Sequence, residues 1–358
     1  MRALSFSWPL TVGVLLTLTA CGRPGLPLPP ERVSPQPATD LSAVVLDRAV
    51  ELAWTMPSRR ADNARLRDLI AMHVFRAEDD GAGDPKPALV SKGRVAGYAE
   101  VATVRMVDPA PAVIGAGRVT LVDRAALTPG RRYTYVVLAE DARGHVSPPS
   151  SRFSVALITS PLAPTDVRAV PGDREVRVEW RPPARLRDGA SLDEPLVYEI
   201  LRSTGPDASL AVVVATASGA TSYVDRSLDN ERAYSYAVRS LRTSRGSVAR
   251  SEASAVATAT PIDTTPPSAP TELVGVPSEG VVRLVWMPSP DLDVGRYVVY
   301  RGREGAELER VGSTAAPGTT FVDREVPAGR WRYAVSAQDT SSRANESPRS
   351  VEVTVTVP

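Results

Sequence analysis

Apolar residues fall on every second position in a short stretch that occurs three times. Val50-Glu-Leu52-Ala-Trp54, Val176-Arg-Val178-Glu-Trp180 and Val282-Arg-Leu284-Val-Trp286 each end in tryptophan, with Pro57, Pro182 and Pro288 shortly after. Such a period puts alternate side chains on opposite faces of a strand, one toward a core and one toward water. A second alternating strand in each copy ends in arginine: Met72-His-Val74-Phe-Arg76, Tyr198-Glu-Ile200-Leu-Arg202 and Tyr297-Val-Val299-Tyr-Arg301. A third ends in the shared tripeptides Val122-Asp-Arg124, Val224-Asp-Arg226 and Val322-Asp-Arg324. A fourth carries Tyr133-Thr-Tyr135-Val-Val137, Tyr234-Ser-Tyr236-Ala-Val238 or Trp331-Arg-Tyr333-Ala-Val335. Polar turns then lead to a closing strand, such as the valines at 351, 353, 355 and 357. A repeat of about one hundred residues is the size of a β-sandwich domain, so the pattern predicts an all-β chain of three tandem sandwiches.

Each copy opens on a similar phrase, at Pro37-Ala-Thr-Asp40-Leu41, Ala163-Pro-Thr-Asp166-Val167 and Ala269-Pro-Thr-Glu272-Leu273. These phrases set the expected domains at 35–160, 161–264 and 265–358. Proline-rich joints precede the second and third, at Ser160-Pro-Leu-Ala-Pro164 and Asp263-Thr-Thr-Pro266-Pro267-Ser-Ala-Pro270. Proline blocks strand pairing and stiffens a linker, so the domains are expected as beads on a string with limited flexing.

These landmarks resemble the fibronectin type III family across residues 35–358. The resemblance implies immunoglobulin-like sandwiches in which Trp54, Trp180 and Trp286 are core residues of the second strand. Leu127-Thr-Pro-Gly130-Arg-Arg-Tyr133 is similar to the family's tyrosine corner, whose phenol bonds back to the backbone. The second copy keeps Leu228 and Tyr234 without the Pro-Gly, and in the third Trp331 takes the tyrosine's place. An indole donates and does not accept, so that corner is expected to be built differently.

The first copy is much longer than the others between its tryptophan and its Val-Asp-Arg. The excess includes Gly81-Ala-Gly-Asp84-Pro-Lys86-Pro87 and both lysines of the chain, Lys86 and Lys92. Long loops on a rigid scaffold often carry binding, which makes Asp84, Lys86 and Lys92 a candidate binding loop; drift in a tolerant loop is the competing explanation. The formal net charge is only +1, and 43% of residues are apolar. The densest basic patch, Arg59, Arg60, Arg65 and Arg67, is diluted by Asp62 and Asp68 and reads as a solvated loop face. Nucleic acid is therefore not an expected partner.

Residues 1–20 read as a targeting segment, with Arg2 before an apolar run from Leu10 to Leu18 that is too short for a permanent span. The run ends in Leu18-Thr19-Ala20-Cys21-Gly22, and Cys21 is the only cysteine. This resembles the lipobox of bacterial lipoproteins, which implies cleavage before Cys21 and acylation of its sulfur and new amino group. Several acyl chains would anchor a soluble protein firmly. Gly22 in place of aspartate implies, by the same resemblance, transfer to the outer membrane. Residues 21–34 then form a proline-rich tether. Its opening, Cys21-Gly-Arg-Pro-Gly25-Leu-Pro-Leu28, is similar to a short stretch of small lipoproteins that assist lipopolysaccharide export, although proline replaces that stretch's lysine at position 24.

Reactive groups are sparse. His73 alternates with the core positions Met72 and Val74 and is expected to face solvent, and His145 lies in a turn. With no second histidine nearby in sequence and Cys21 lipidated, no zinc site of the usual ligands is expected. No Gly-x-Ser-x-Gly elbow or glycine-rich phosphate loop with lysine occurs. Asp123, Asp225 and Asp323 come once per copy and read as strand-end turns or surface pairs with arginine. No cofactor, metal or catalytic activity is expected. The reading is a lipid-anchored envelope protein that binds a partner, protein or polysaccharide, or acts as a spacer. An assembly factor for an outer-membrane machine and an accessory carbohydrate-binding protein are the alternatives.

Overall fold

A computed structural model describes residues 33–125, 127–205 and 208–358. The targeting segment, the lipobox and nearly all of the tether lie outside the described residues.

The first domain contains β1 (Thr39–Leu46), β2 (Ala49–Thr55), β3 (Leu69–Asp79), β4 (Val90–Ser91), β5 (Arg94–Val95), β6 (Ala99–Arg105), β7 (Val113–Gly115), β8 (Arg118–Asp123), β9 (Arg132–Asp141) and β10 (Phe153–Ala156). The second contains β11 (Thr165–Pro171), β12 (Glu175–Arg181), β13 (Val197–Ser203), β14 (Ala211–Ala215), β15 (Ser222–Arg226), β16 (Tyr234–Ser244), β17 (Ser247–Arg250) and β18 (Ala257–Ala259). The third contains β19 (Thr271–Ser278), β20 (Val281–Met287), β21 (Val294–Arg303), β22 (Glu309–Ala315), β23 (Thr320–Arg324), β24 (Gly329–Asp339) and β25 (Val353–Val357).

The third domain shows the plan most simply. Sheet β19-β20-β23 packs against sheet β22-β21-β24-β25, a fibronectin type III-like sandwich. Alternation in β20 sends Val282, Leu284 and Trp286 inward, all 2% exposed or less, to meet Tyr297, Val299, Tyr333 and Val335. Trp54 and Trp180 are buried in the same way in their own domains. Each faces a residue in the first half of the next long strand. The Trp54 Nε1 lies 3.3 Å from the Met72 sulfur, whereas the Trp180 and Trp286 rings tilt against Tyr198 and Tyr297, with centroids 5.2 and 5.5 Å apart.

Asp123, Asp225 and Asp323 are not surface residues. Each carboxylate is buried and accepts from an arginine of one strand and a tyrosine of another. Asp123 accepts from Arg76 (2.7 Å) and Tyr135 (2.9 Å), Asp225 from Arg202 and Tyr236 (both 2.9 Å), and Asp323 from Arg301 (2.9 Å) and Tyr333 (2.8 Å). The arginine in turn lies over the corner aromatic, with Arg76, Arg202 and Arg301 at 5.4, 5.8 and 4.9 Å from the ring centroids of Tyr133, Tyr234 and Trp331. The sequence signal for this unit was the recurrence of arginine, Val-Asp-Arg and Tyr-x-Tyr together. Burial follows because the carboxylate sits on the inward phase of its strand, where only a paired charge is tolerated.

The corners differ as donor chemistry requires. The Tyr133 and Tyr234 hydroxyls accept from the amides of Thr128 (2.6 Å) and Asp229 (3.0 Å). The Trp331 indole instead donates to the Pro327 carbonyl at 2.8 Å.

The first two domains are not beads. Strand β17 pairs in parallel with β1, Val45 opposite Ala249, so one nine-stranded sheet runs β14-β13-β16-β17-β1-β2-β8-β7, with β18 on β16. Ala249 is fully buried in the core of the first domain. Ser247 Oγ accepts from the Ala156 amide at 2.7 Å, and Arg250 pairs with Glu51 at 2.8 Å. The cause is local to the second copy. Ser244-Arg-Gly-Ser247 makes a tight hairpin with Arg245 and Gly246 at φ 50° and 70°, which prolongs β16–β17 past its own sandwich. In the other copies Asp141 and Asp339 stand where this one has Arg242, and their carboxylates gather turn amides instead. The joint between the second and third domains shares no sheet. It is held by bonds such as Thr265 to Asp173 (2.5 Å) and Ser342 to Glu231 (2.9 Å).

Candidate functional site

The long insert of the first domain folds back over the outer face of its four-stranded sheet. Val95 packs there on Phe75, Val136 and Leu138, with Ala88, Tyr98 and Val146 around them. Strand β9 is thereby buried on both faces, as its unbroken apolar run allows. The strap is tied down by Tyr98 Oη donating to the Lys86 carbonyl (2.7 Å) and by Arg132 donating to the Gly83 carbonyl (2.8 Å). This makes most of the insert structural.

Beside the strap is a cleft of about 720 Å³, lined by His73, Glu100 and Glu140 of the sheet, Lys92 and Arg94 of the strap, and His145 of the turn after β9. The size suits a small ligand. Both histidines of the chain therefore reach one site, although 73 and 145 are far apart in sequence. Strand pairing brings them together, because β3 and β9 are neighbours with His73 opposite Leu138. His73 does not face open water. Its Nδ1 and Nε2 each lie 2.8 Å from a carboxylate oxygen, of Glu100 and Glu140 respectively. Burial would lower the imidazole pKa, but the bonds to the two carboxylates outweigh it and the pKa stands above 6.5. Glu100 is held below its ordinary value: burial pushes it up, and the Thr103 and His73 bonds pull it further down.

The back of the turn is fixed by Asp141. Its side chain is fully buried and receives Arg60 (2.6 Å), the amides of Arg143 and His145 (both 2.9 Å) and His145 Nδ1 (3.0 Å). Burial would raise its pKa, yet these bonds bring it down to about 2. Arg60 also pairs with Asp68 and donates to the Val33 carbonyl. The basic patch is thus not a purely solvated face, since its central arginine is spent inside the fold. Of the loop residues singled out from the sequence, Lys92 lines the cleft. Asp84 lies outside it, and Lys86 contributes its carbonyl to the strap.

Chemically this is a binding geometry. The imidazole occupies the space between Glu100 and Glu140, so the carboxylates do not flank an open gap. Lys92 and Arg94 add cationic donors, and Val90 and Val146 add apolar wall. A second polar cluster lies at the other joint. Oxygens of Asp263, Asp293 and Asp339 come within 4.8 Å of one another, a spacing that could hold a cation. Asp339, however, already accepts from Ser341 (2.7 Å) and Asn345 (2.8 Å).

No family model matches the chain. It is similar to exoglucanase B of Cellulomonas fimi, 29% identical over 260 residues that cover 68% of this chain and 22% of that protein. The chain therefore corresponds to less than a quarter of that relative. Among solved structures it is similar to the FN1–FN3 domains of chicken CNTN1, 16% identical over 90% of this chain and 99% of that one, with a TM-score of 0.28.

Proposed function

We propose that this chain is a non-catalytic, lipid-anchored protein of the bacterial cell envelope whose three sandwiches serve binding or spacing. The observation that carries the binding-or-spacing reading is the construction of the joint between the first two domains. A shared sheet with a buried Ala249 and an Arg250–Glu51 pair converts two domains into one stiff body. Stiffness suits holding a partner at a fixed distance. The anchor rests on the Leu18-Thr-Ala-Cys21-Gly22 stretch, and Gly22 favours the outer membrane. Polar side chains converge in one cleft of the first domain, with the His73 imidazole held between two carboxylates, which supports ligand binding there.

The test is in-cell crosslinking and purification from detergent-solubilised membranes, with Cys21→Ser as the unanchored control. Recovery of one defined envelope protein, lost in Cys21→Ser, supports a membrane-docked binder. A full-length chain that stays out of the membrane refutes the anchor.

The partial likeness to exoglucanase B favours a second reading, an accessory carbohydrate-binding role. Against it, every tyrosine, tryptophan and phenylalanine among the described residues is buried or half-buried, so none offers a bare ring on which a pyranose could stack. Binding of the chain to cellulose, xylan or peptidoglycan at micromolar concentration would restore that reading.

A further inference from the structure

The three copies provide an internal comparison for the outer face of the sheet formed by β1, β2 and β8, by β11, β12 and β15, and by β19, β20 and β23. In the second domain that face carries both charges, with Arg177, the counterpart of Arg283, also pointing outward. Arg168, Glu175, Glu179 and Arg181 point outward, with Arg226 paired to Glu175 (3.4 Å) and Arg181 to Asp166 (3.3 Å). In the first domain the face is already an interface. Glu51 of β2 receives Arg250 from the second domain there.

The third domain has neither arrangement. In the same register, Val274, Val281, Val285 and Met287 replace Arg168, Glu175, Glu179 and Arg181. Val274, Val276, Val285, Met287 and Val322 are 55, 57, 49, 52 and 38% exposed. Together they present roughly 400 Å² of apolar surface, a patch size that is often functional. That is about half of the ~800 Å² per partner in a standard interface, the proportion expected of an apolar centre within a polar rim. Arg283 lies between Val276 and Val322 in the strand register. Neither it nor Arg324 makes an ion pair among the described residues, and with Val281 in the place of Glu175 the face has lost the acid that Arg226 uses. Glu272, in the place of Asp166, stands at the end of the face beside the Thr271–Met287 pair; from Val274 to Ser278, Val281 to Met287 and Thr320 to Arg324, around Arg283, no carboxylate points outward.

We propose that this face of the third domain docks an acidic protein surface, with a partner carboxylate seated on Arg283 and apolar side chains on the valines. Charge decides the occupant. A second copy would set Arg283 and Arg324 against the same two cations, whereas a carboxylate answers them. The first domain supplies a precedent in this molecule, because Glu51 occupies the position of Arg283 and is the residue that pairs across a domain interface. The proposal rests on the binding reading above and is independent of the lipid anchor and of the first-domain cleft.

The test uses the full chain in detergent and two synthetic amphipathic peptides with one shared leucine face, flanked by glutamates in one and lysines in the other. The glutamate peptide should bind at least about tenfold more tightly at low salt, with the gap narrowing as salt rises. Arg283→Glu should reverse the preference, and the double variant Val276→Ser, Val285→Ser should weaken the glutamate peptide about tenfold. Arg177→Glu in the second domain should change nothing. All four residues are surface residues, so an unchanged melting curve separates these effects from misfolding. Equal binding of the two peptides, or indifference to Arg283→Glu, overturns the proposal. So does a dimer in sedimentation equilibrium that Val285→Glu dissolves, which would make the occupant a second copy. Co-sedimentation with phosphatidylglycerol vesicles that the serine variant abolishes would assign the face to lipid instead. None of these outcomes bears on the Cys21→Ser result, so this proposal and the envelope reading fail separately.

Discussion

Asp323→Ala tests the buried unit that all three domains share. The substitution leaves the Arg301 guanidinium and the Tyr333 hydroxyl without their acceptor, at 2.9 and 2.8 Å in the intact protein. Removing one partner of a buried pair costs about 3–5 kcal/mol because the other charge is stranded. Here the Arg301 side chain is 24% exposed and lies 4.9 Å over the Trp331 ring, so water and the ring offset part of that loss. The Tyr333 hydroxyl is in a residue with no exposure, and an unsatisfied buried hydroxyl costs about 1–3 kcal/mol. The expected total is about 3–4 kcal/mol, from the low ends of both ranges. For a domain of under one hundred residues that corresponds to a fall of roughly 12–32 °C in the transition of the third domain. Scanning calorimetry of the full chain should show that transition separate from and below the others, since the third domain shares no sheet with its neighbour. Tyr333→Phe keeps the ion pair and should cost only about 1 kcal/mol. Replacing both ends with apolar residues, Asp323→Leu with Arg301→Met, should recover most of the loss. If Asp323→Ala destabilises the domain by less than about 0.5 kcal/mol, the carboxylate is not the hub of this unit.

Other consequences follow from the same geometry. Burial, then the bonds to their aspartates, push the phenols of Tyr135, Tyr236 and Tyr333 well above 10. Their contribution to stability is complete below pH 10 and is lost as pH rises beyond it, so the phenolate absorbance of these three should appear only with unfolding; smooth titration near pH 10 in the folded protein would contradict the unit. The His73 pKa is raised, so its pairs with Glu100 and Glu140 hold fully below pH 6.5 and weaken as pH climbs through the raised value. Protection of the strap residues 90–95 from hydrogen exchange, taken relative to the intrinsic base-catalysed rate, should fall across that rise, and His73→Gln should remove that fall. Deleting residues 81–92 should lower the melting temperature of the first domain by several degrees, since it loosens the cover over Phe75, Val136 and Leu138; an unchanged melt would make that stretch a dispensable loop. Ala249→Glu puts an unpaired charge in the core of the first domain, and calorimetry should show the joint transition of the first two domains split in two.

What could be read from the chain beforehand was whatever a strand's own period encodes. Val282, Leu284 and Trp286 had to point one way because extended backbone alternates, and three copies made the reading redundant. The Arg-Asp-Tyr unit is present as three recurring landmarks, but aspartate and arginine are normally solvated, and only the inward phase of the Val-Asp-Arg strand signals its burial. The cleft was hidden for a different reason. His73 and His145 meet through strand pairing and through a turn tied by Arg60 to Asp141, and neither contact leaves a local signature. The strap was visible only as excess length, and length alone does not separate a cover from a loop; Tyr98 and Val95 spaced after a Pro-Gly run were the available hint. The shared sheet was the least legible. Proline at both joints correctly signals a break in the chain, but strand pairing is a property of edges, and β17 reaches β1 by a hairpin remote from the proline. Two domains joined by a stiff linker and two domains joined by a sheet therefore look alike until the edges are placed. The distinction matters for function: a linker sets only the spacing of its domains, whereas a sheet with a buried alanine and a paired Glu51 also sets their rotation.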